Sequence, residues 1–291
     1  MIRGQTCVSV AVRRPNGEIL VATDPLRWKW AQKLRRVPVV RGFIVLAEML
    51  TIGTRSLMFS AEVAAEDPDA PDEAEDGEKN GSVLGSIAIG GTLVFSILMA
   101  VGLFFAMPVV ATHFVDQFIN SALLSNIAEG VIRLAIFVLY IGGIGLLPDI
   151  RRVYSYHGAE HMAVHAKEAG QPLTVDSIRR YSTAHPRCGT AFILVVMVIA
   201  IGVHALLGAP PLWERILSRI ILLPVIAGVS YEIIRWSGFH ASNPLVKAII
   251  APNLLLQSIT TKPPEDDQIE VAVRALEAAV EQDRVAAAGT S

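Results

Sequence analysis

From Val83 to Val110 the chain carries no charged side chain. A helix rises about 1.5 Å per residue and needs roughly 20 apolar residues to cross bilayer hydrocarbon, so this run is long enough to span a membrane. Backbone polar groups find no partner in lipid except one another, which makes helix the expected state of such a run. Ile127 to Leu147 is a second run, opening with Glu129 and Arg133 at i,i+4, a pair that can neutralise itself near the interface. Residues 190–208 and 216–236 supply a third and a fourth. The apolar residues, 52% of the chain against 18% charged, are bunched rather than spread. The expected fold is an all-α polytopic membrane protein of about four transmembrane helices, and its necessary partner is the lipid bilayer.

The flanks read differently. Residues 7–23 hold two alternating apolar runs around Pro15-Asn16-Gly17, and Asn-Gly between such runs predicts a small N-terminal β-hairpin. The rest of region 1–37 is basic, with Arg27-Trp28-Lys29-Trp30, Lys33, Arg35 and Arg36. It suits an anionic bilayer surface or an ordinary solvated face. Residues 38–60 have helical character but include Glu48 and Arg55, and are expected to lie on or dip into the membrane. Residues 61–82 carry nine acidic side chains, two prolines and one lysine, the composition of a disordered linker. The membrane domain would then cover 83–262. In 263–291 the stripe Ile269, Val271, Val273, Leu276 and Val280 among charges predicts an amphipathic helix packing on the soluble face.

Lysine and arginine set the expected orientation. The 111–126 connection has none, whereas 148–189 has six and the N-terminal region many. Both termini and the 148–189 region are therefore expected on the cytoplasmic side of the membrane. A net charge of -2 without a dense basic stripe gives no support for nucleic acid as a partner. Cys7 and Cys188 form no disulfide framework and fit a reducing compartment. No cleavable signal peptide is apparent at Met1.

Chemistry concentrates in Tyr156-His157-Gly158-Ala159-Glu160-His161-Met162-Ala163-Val164-His165. On a helix His157, His161 and His165 share one face, with Glu160 beside them. His157-x-x-Glu160-His161 has the H-x-x-E-H order of inverted zincins, in which two imidazoles one turn apart hold a metal and the carboxylate serves as base. His157 and His165 would stand roughly 12 Å apart, so one straight helix cannot bring all three to one ion. Either neighbouring pair would need a ligand from elsewhere.

Two places offer one. His185-Pro186-Arg187-Cys188-Gly189-Thr190 is a tight turn carrying an imidazole and a thiol, both good zinc ligands. Cys188 could also be a nucleophile activated by His185, or a buried structural thiol. Glu232, a costly carboxylate near the end of the fourth apolar run, could be a distant ligand or the local partner of Arg235. His204, within the third run, reads as a core hydrogen-bonding residue.

Tyr156-His157-Gly158-Ala159-Glu160-His161, His185-Pro186-Arg187-Cys188-Gly189-Thr190, Ala227-Gly228-Val229-Ser230-Tyr231-Glu232 and Leu256-Gln257-Ser258-Ile259-Thr260-Thr261-Lys262-Pro263 together resemble the DUF1385 family of YqhQ-like bacterial membrane proteins. The resemblance extends over nearly the whole chain. It departs at the start, where Met1-Ile2-Arg3-Gly4 lacks the family's glycine-rich lead. It implies a metal-dependent enzyme of unknown substrate, and assigns the metal role to His157, Glu160, His161, His185, Cys188 and Glu232.

The combined expectation is a hydrolase with a cytoplasm-facing helical metal-site region holding a divalent ion, zinc by ligand type. His157 and His161 would hold it with Glu232 or the His185/Cys188 turn, Glu160 would be the general base, and His165 and Arg187 are further candidates. A peptide bond near the membrane and a lipid-derived ester fit equally. The alternatives are a scaffold or assembly factor with a closed structural site, and transport along His204, Glu129 and Glu232.

Overall fold

Asn16-Gly17 reverses the chain as the alternating pattern predicts. In a computed structural model, which describes residues 1–26, 34–65, 83–186, 188–208, 211–240 and 243–288, strand β2 (Cys7–Arg13) pairs antiparallel with β3 (Ile19–Pro25). Gly17 takes φ +90° at the turn, and the Asn16 side chain accepts from the Glu18 amide at 3.0 Å. A short β1 (Ile2–Arg3) adds a third strand on the other edge of β2. Most of the basic tryptophan segment (27–33), most of the acidic linker (66–82) and Arg187 lie outside the described residues.

The helices are α1 (Val40–Ala64), α2 (Val83–Val101), α3 (Met107–Asp116), α4 (Ala122–Ile144), α5 (Pro148–Glu168), α6 (Val175–Ile178), α7 (Gly189–Leu206), α8 (Leu212–Phe239), α9 (Pro244–Thr260) and α10 (Asp266–Ala288). A π-helical segment, Gly102–Ala106, joins α2 to α3 without a break in the helical run. Four helical stretches among the described residues are long and apolar enough to cross a membrane: Val40–Ala64, Val94–Asp116, Ala122–Ile144 and Leu217–Ser237.

The number of spans matches the expectation, but their membership differs. Residues 38–60, expected to lie in or on the membrane surface, belong to the long helix α1. Glu48 is only 1% exposed and accepts a 2.8 Å hydrogen bond from Arg3, so one of the two charges that argued against a span is paired inside the fold. Conversely, the apolar part of α7, Phe192–Leu206, is shorter than the other four. Helix α9 was not foreseen as an element. It is capped by Asn243, which accepts from the Leu245 amide, and it tolerates Pro252 inside.

Two compact units result. The first comprises Met1–Pro68, Ile141–Val196 and Leu222–Ser291. Its core joins Ile2, Cys7 and Ala11 of the sheet to Ala159, Met162, Ala163 and Ala166 of α5 through Ile269, Ala272, Ala275, Leu276 and Ala279 of α10. The C-terminal helix thus packs between β2 and α5 with its apolar face, and keeps Glu270, Arg274 and Glu277 exposed. Small residues on α5 and α10 let the two helices approach closely. Asp283 of α10 also ties down the N-terminal strands, accepting from the amides of Gln5 and Thr6 at 2.7 and 2.8 Å.

The second unit comprises Asp69–Tyr140 and Met197–Ile221. Within it Glu129 accepts from Arg133 at 2.6 Å and from Arg219 at 2.5 Å. The expected pair is therefore a triad with an excess cation. Arg133 also donates to the Phe104 carbonyl at 2.9 Å, which draws α4 onto the π-helical segment.

Candidate metal centre

Helix α5 starts at Pro148, a residue pre-set for the first helical position, and keeps its apolar side against the core. Its histidines face elsewhere. His157 and His161 have ring centroids 4.4 Å apart and meet two chain segments, the 183–188 turn and the end of α9.

Both rings are oriented by backbone carbonyls. His157 Nδ1 lies 3.0 Å from the Thr260 carbonyl oxygen, and His161 Nδ1 lies 2.6 Å from that of Thr183. A carbonyl can only accept, so each Nδ1 carries the hydrogen, and in the neutral ring each Nε2 keeps its lone pair. Metal-binding histidines are commonly oriented in this way. The Cys188 Sγ is 3.3 Å from His157 Nε2, and the donor atoms of His157, His161 and Cys188 all lie within 4.8 Å of one another. Bonds of about 2.0–2.3 Å to a tetrahedral ion place ligand atoms roughly 3.5 Å apart, which the 3.3 Å between Cys188 Sγ and His157 Nε2 matches. The set N, N, S is suited to zinc.

The thiol is electrostatically prepared. Burial pushes the Cys188 pKa up, but hydrogen bonds from His157 and His161 prevail and lower it to about 5. The Thr190 amide, in the first turn of α7, also donates to Sγ at 3.4 Å. Burial likewise works against charge on His157, yet the Cys188 bond and charge, with the Thr260 carbonyl, raise its pKa above the ordinary value. Each of the two thus favours the charged form of the other.

Close backbone approach makes the arrangement possible. A Cβ on Gly158 would stand 2.3 Å from the Lys262 carbonyl oxygen, so only glycine lets segment 260–262 lie on α5. There the Lys262 amide donates to the Tyr154 carbonyl at 3.0 Å, one helical turn from Gly158. The turn bearing His185 and Cys188 is fixed by Gln257 of α9, which is fully buried. Its side chain accepts from the His185 amide at 2.8 Å and donates to the His185 carbonyl at 3.0 Å.

The remaining sequence candidates separate. His185 and His165 stand apart from the first triad and meet Glu168, a residue the sequence reading passed over. The donor atoms of these three lie within 4.8 Å of one another. Glu168 had a signal: His165-x-x-Glu168 repeats the spacing of His157-x-x-Glu160. Gln257 and Thr260 had none beyond their place in the motif near the end of α9.

Glu160 belongs to neither donor set. It lines an open cavity of about 540 Å³ together with His157, Tyr156, Arg152, Val153, Ser56 and Leu57. Glu232 is engaged elsewhere, hydrogen-bonded to the Arg41 guanidinium through both carboxylate oxygens and accepting from the Val39 amide at 3.3 Å. Its hydrogen-bonded partner is Arg41 of α1, a two-pronged guanidinium contact, with the Arg235 charge acting on it as well.

The comparisons agree with the motifs. A protein of Bacillus subtilis (strain 168) described as "Uncharacterized protein YqhQ" is 32% identical over 277 residues, which cover 94% of this chain and 86% of that one. No solved structure matches the chain. The family described as "Protein of unknown function (DUF1385)" matches residues 37–282. The chain belongs to the DUF1385 family.

Proposed function

We propose that the chain is a metal-dependent hydrolase of the bacterial inner membrane, multi-pass, with both termini and the metal centre facing the cytoplasm. The observation that carries the reading is the convergence of His157, His161 and Cys188, each imidazole held through Nδ1 by a backbone carbonyl. Three protein ligands are the pattern of catalytic zinc sites, which keep a fourth position open. A zinc ion bound there would supply Lewis acidity and a water acidic enough to ionise near neutral pH.

The chain's own residues would do the rest. Glu160, on the cavity wall beside His157, takes the proton from the attacking water and returns it to the leaving group. Arg152 offers a cation to an anionic substrate, while Leu57 and Val153 give the cavity apolar sides. A peptide segment at the membrane surface and a lipid-derived ester both match that lining.

Metal content of the detergent-purified protein tests the reading. Stoichiometric metal in the wild type, its loss in the His157→Ala/His161→Ala double variant, and its retention without turnover in Glu160→Gln are the expected results. Metal held by four protein ligands, with no turnover against peptide or ester panels, would instead favour a structural site in a scaffold.

The depressed Cys188 pKa supports a second reading, a thiolate nucleophile paired with His157. Turnover that survives exhaustive chelation and is abolished by alkylation would select it.

A further inference from the structure

We infer that His165, Glu168 and His185 form a second divalent-cation site beside the first. The inference builds on the metal reading of His157, His161 and Cys188, and adds a separate ion.

Three observations carry it. First, the donor atoms of the three residues lie within 4.8 Å of one another, the same convergence as in the first triad. Second, each histidine is held in place by groups outside the triad. His165 Nε2 lies 2.9 Å from the Ala184 carbonyl, so Nε2 carries the hydrogen and Nδ1 keeps the lone pair in the neutral ring. His185 is 5% exposed, and Gln257 bonds its backbone on both sides. For His165, orientation through the non-coordinating ring nitrogen is what metal-ligand histidines usually have.

Third, the separation within the triad also suits two ligands of one ion. His185 Nε2 and Glu168 Oε2 are 3.4 Å apart, beyond the usual 2.7–3.2 Å of an N–H···O hydrogen bond. The edge of a tetrahedron with bonds of about 2.0–2.2 Å measures roughly 3.4 Å. In the first triad the corresponding separation, Cys188 Sγ to His157 Nε2, is 3.3 Å.

The two triads repeat one design. Consecutive carbonyls, Thr183 and Ala184, orient His161 and His165 on successive turns of α5. The rings of His161 and His185, one from each triad, have centroids 5.8 Å apart. The donor sets differ in kind. Two imidazoles with a thiolate favour zinc, whereas two imidazoles with a carboxylate also accept harder first-row ions such as iron(II) or manganese(II). The second site is thus expected to be the less selective.

Cobalt(II) alone, added to the full-length protein in detergent after chelation and dialysis, tests the inference with two readouts. Bound cobalt per chain counts the sites, and the sulfur-to-cobalt charge-transfer band reports the Cys188 site by itself. The wild type should bind two equivalents. His165→Ala and, independently, Glu168→Gln should bind one and keep the charge-transfer band. Cys188→Ser should bind one and lose it. A wild type that binds one equivalent, with the band intact in both His165→Ala and Glu168→Gln, overturns the second site and leaves the first standing. Loss of both ions in Glu168→Gln with unchanged helical circular dichroism would make the two triads one site, and also overturns it. No cobalt in any protein overturns the metal reading as a whole.

Discussion

Gln257 holds His185 by the backbone, its amide oxygen accepting from the His185 N–H at 2.8 Å and its amide nitrogen donating to the His185 carbonyl at 3.0 Å. One side chain of α9 thereby positions a turn seventy-two residues away in sequence. Gln257→Leu would leave a buried donor and a buried acceptor unsatisfied, at about 1–3 kcal/mol each when no water reaches them. We expect a clear loss of thermal stability and a metal affinity lower by about 10–100-fold, as for other residues that orient ligands. Thermal unfolding and competitive chelator titration of the variant check both.

Gly158→Ala tests the close approach of segment 260–262. The added methyl meets the Lys262 carbonyl oxygen at 2.3 Å, and backbone on both sides has little room to yield. Strain of about 1–3 kcal/mol is expected. Because Thr260 orients His157, metal should weaken along with the fold. A variant of wild-type melting temperature and unchanged metal content would contradict the described packing.

In the metal-free protein the thiol should titrate far below an ordinary cysteine. The difference in thiolate absorbance between wild type and Cys188→Ser should show a midpoint at about 5, moving up toward 9.0 in His157→Gln. Cys7 does not interfere, since burial raises its pKa.

The same pair makes stability depend on pH. The Cys188 pKa is lowered by folding, so its ionisation contributes fully above the unfolded value of 9.0, and the contribution is lost as pH falls through about 5. The His157 pKa is raised, so its protonation contributes fully below 6.5 and is lost as pH rises through the higher folded value. The two charges coexist between about 5 and the raised His157 value. Chelated wild type should therefore exceed Cys188→Ser in melting temperature most near neutral pH, and least below about 5.

Glu232→Gln should lower stability and leave metal stoichiometry unchanged, because the carboxylate serves Arg41. Loss of metal in this variant, with the fold intact, would return Glu232 to the ligand set.

How much of this could be read from the chain depended on whether the determining forces were local. The hairpin at Asn16-Gly17 and the apolar runs were legible because a turn preference and a hydropathy run lie in consecutive residues. The spanning length of α1 was not, since the partner that masks Glu48 is Arg3, far away in sequence. The stacking of His157, His161 and His165 followed from helical period alone. Their division into two triads did not, because it depends on where the 183–188 turn settles and hence on Gln257. At Glu232 a lone carboxylate in an apolar run advertises a need for a cation, but not that Arg41, far away in sequence, hydrogen-bonds to it.

The central position of α10 has a consequence for how the protein is made. Helix α5 leaves the ribosome long before α10, and until α10 arrives its core face, with Ala159, Met162 and Ala163, has no cover. The histidines are synthesised before the layer that packs their helix against the sheet. The arrangement of His157, His161 and Cys188 described above is therefore complete only once α10 has packed on α5.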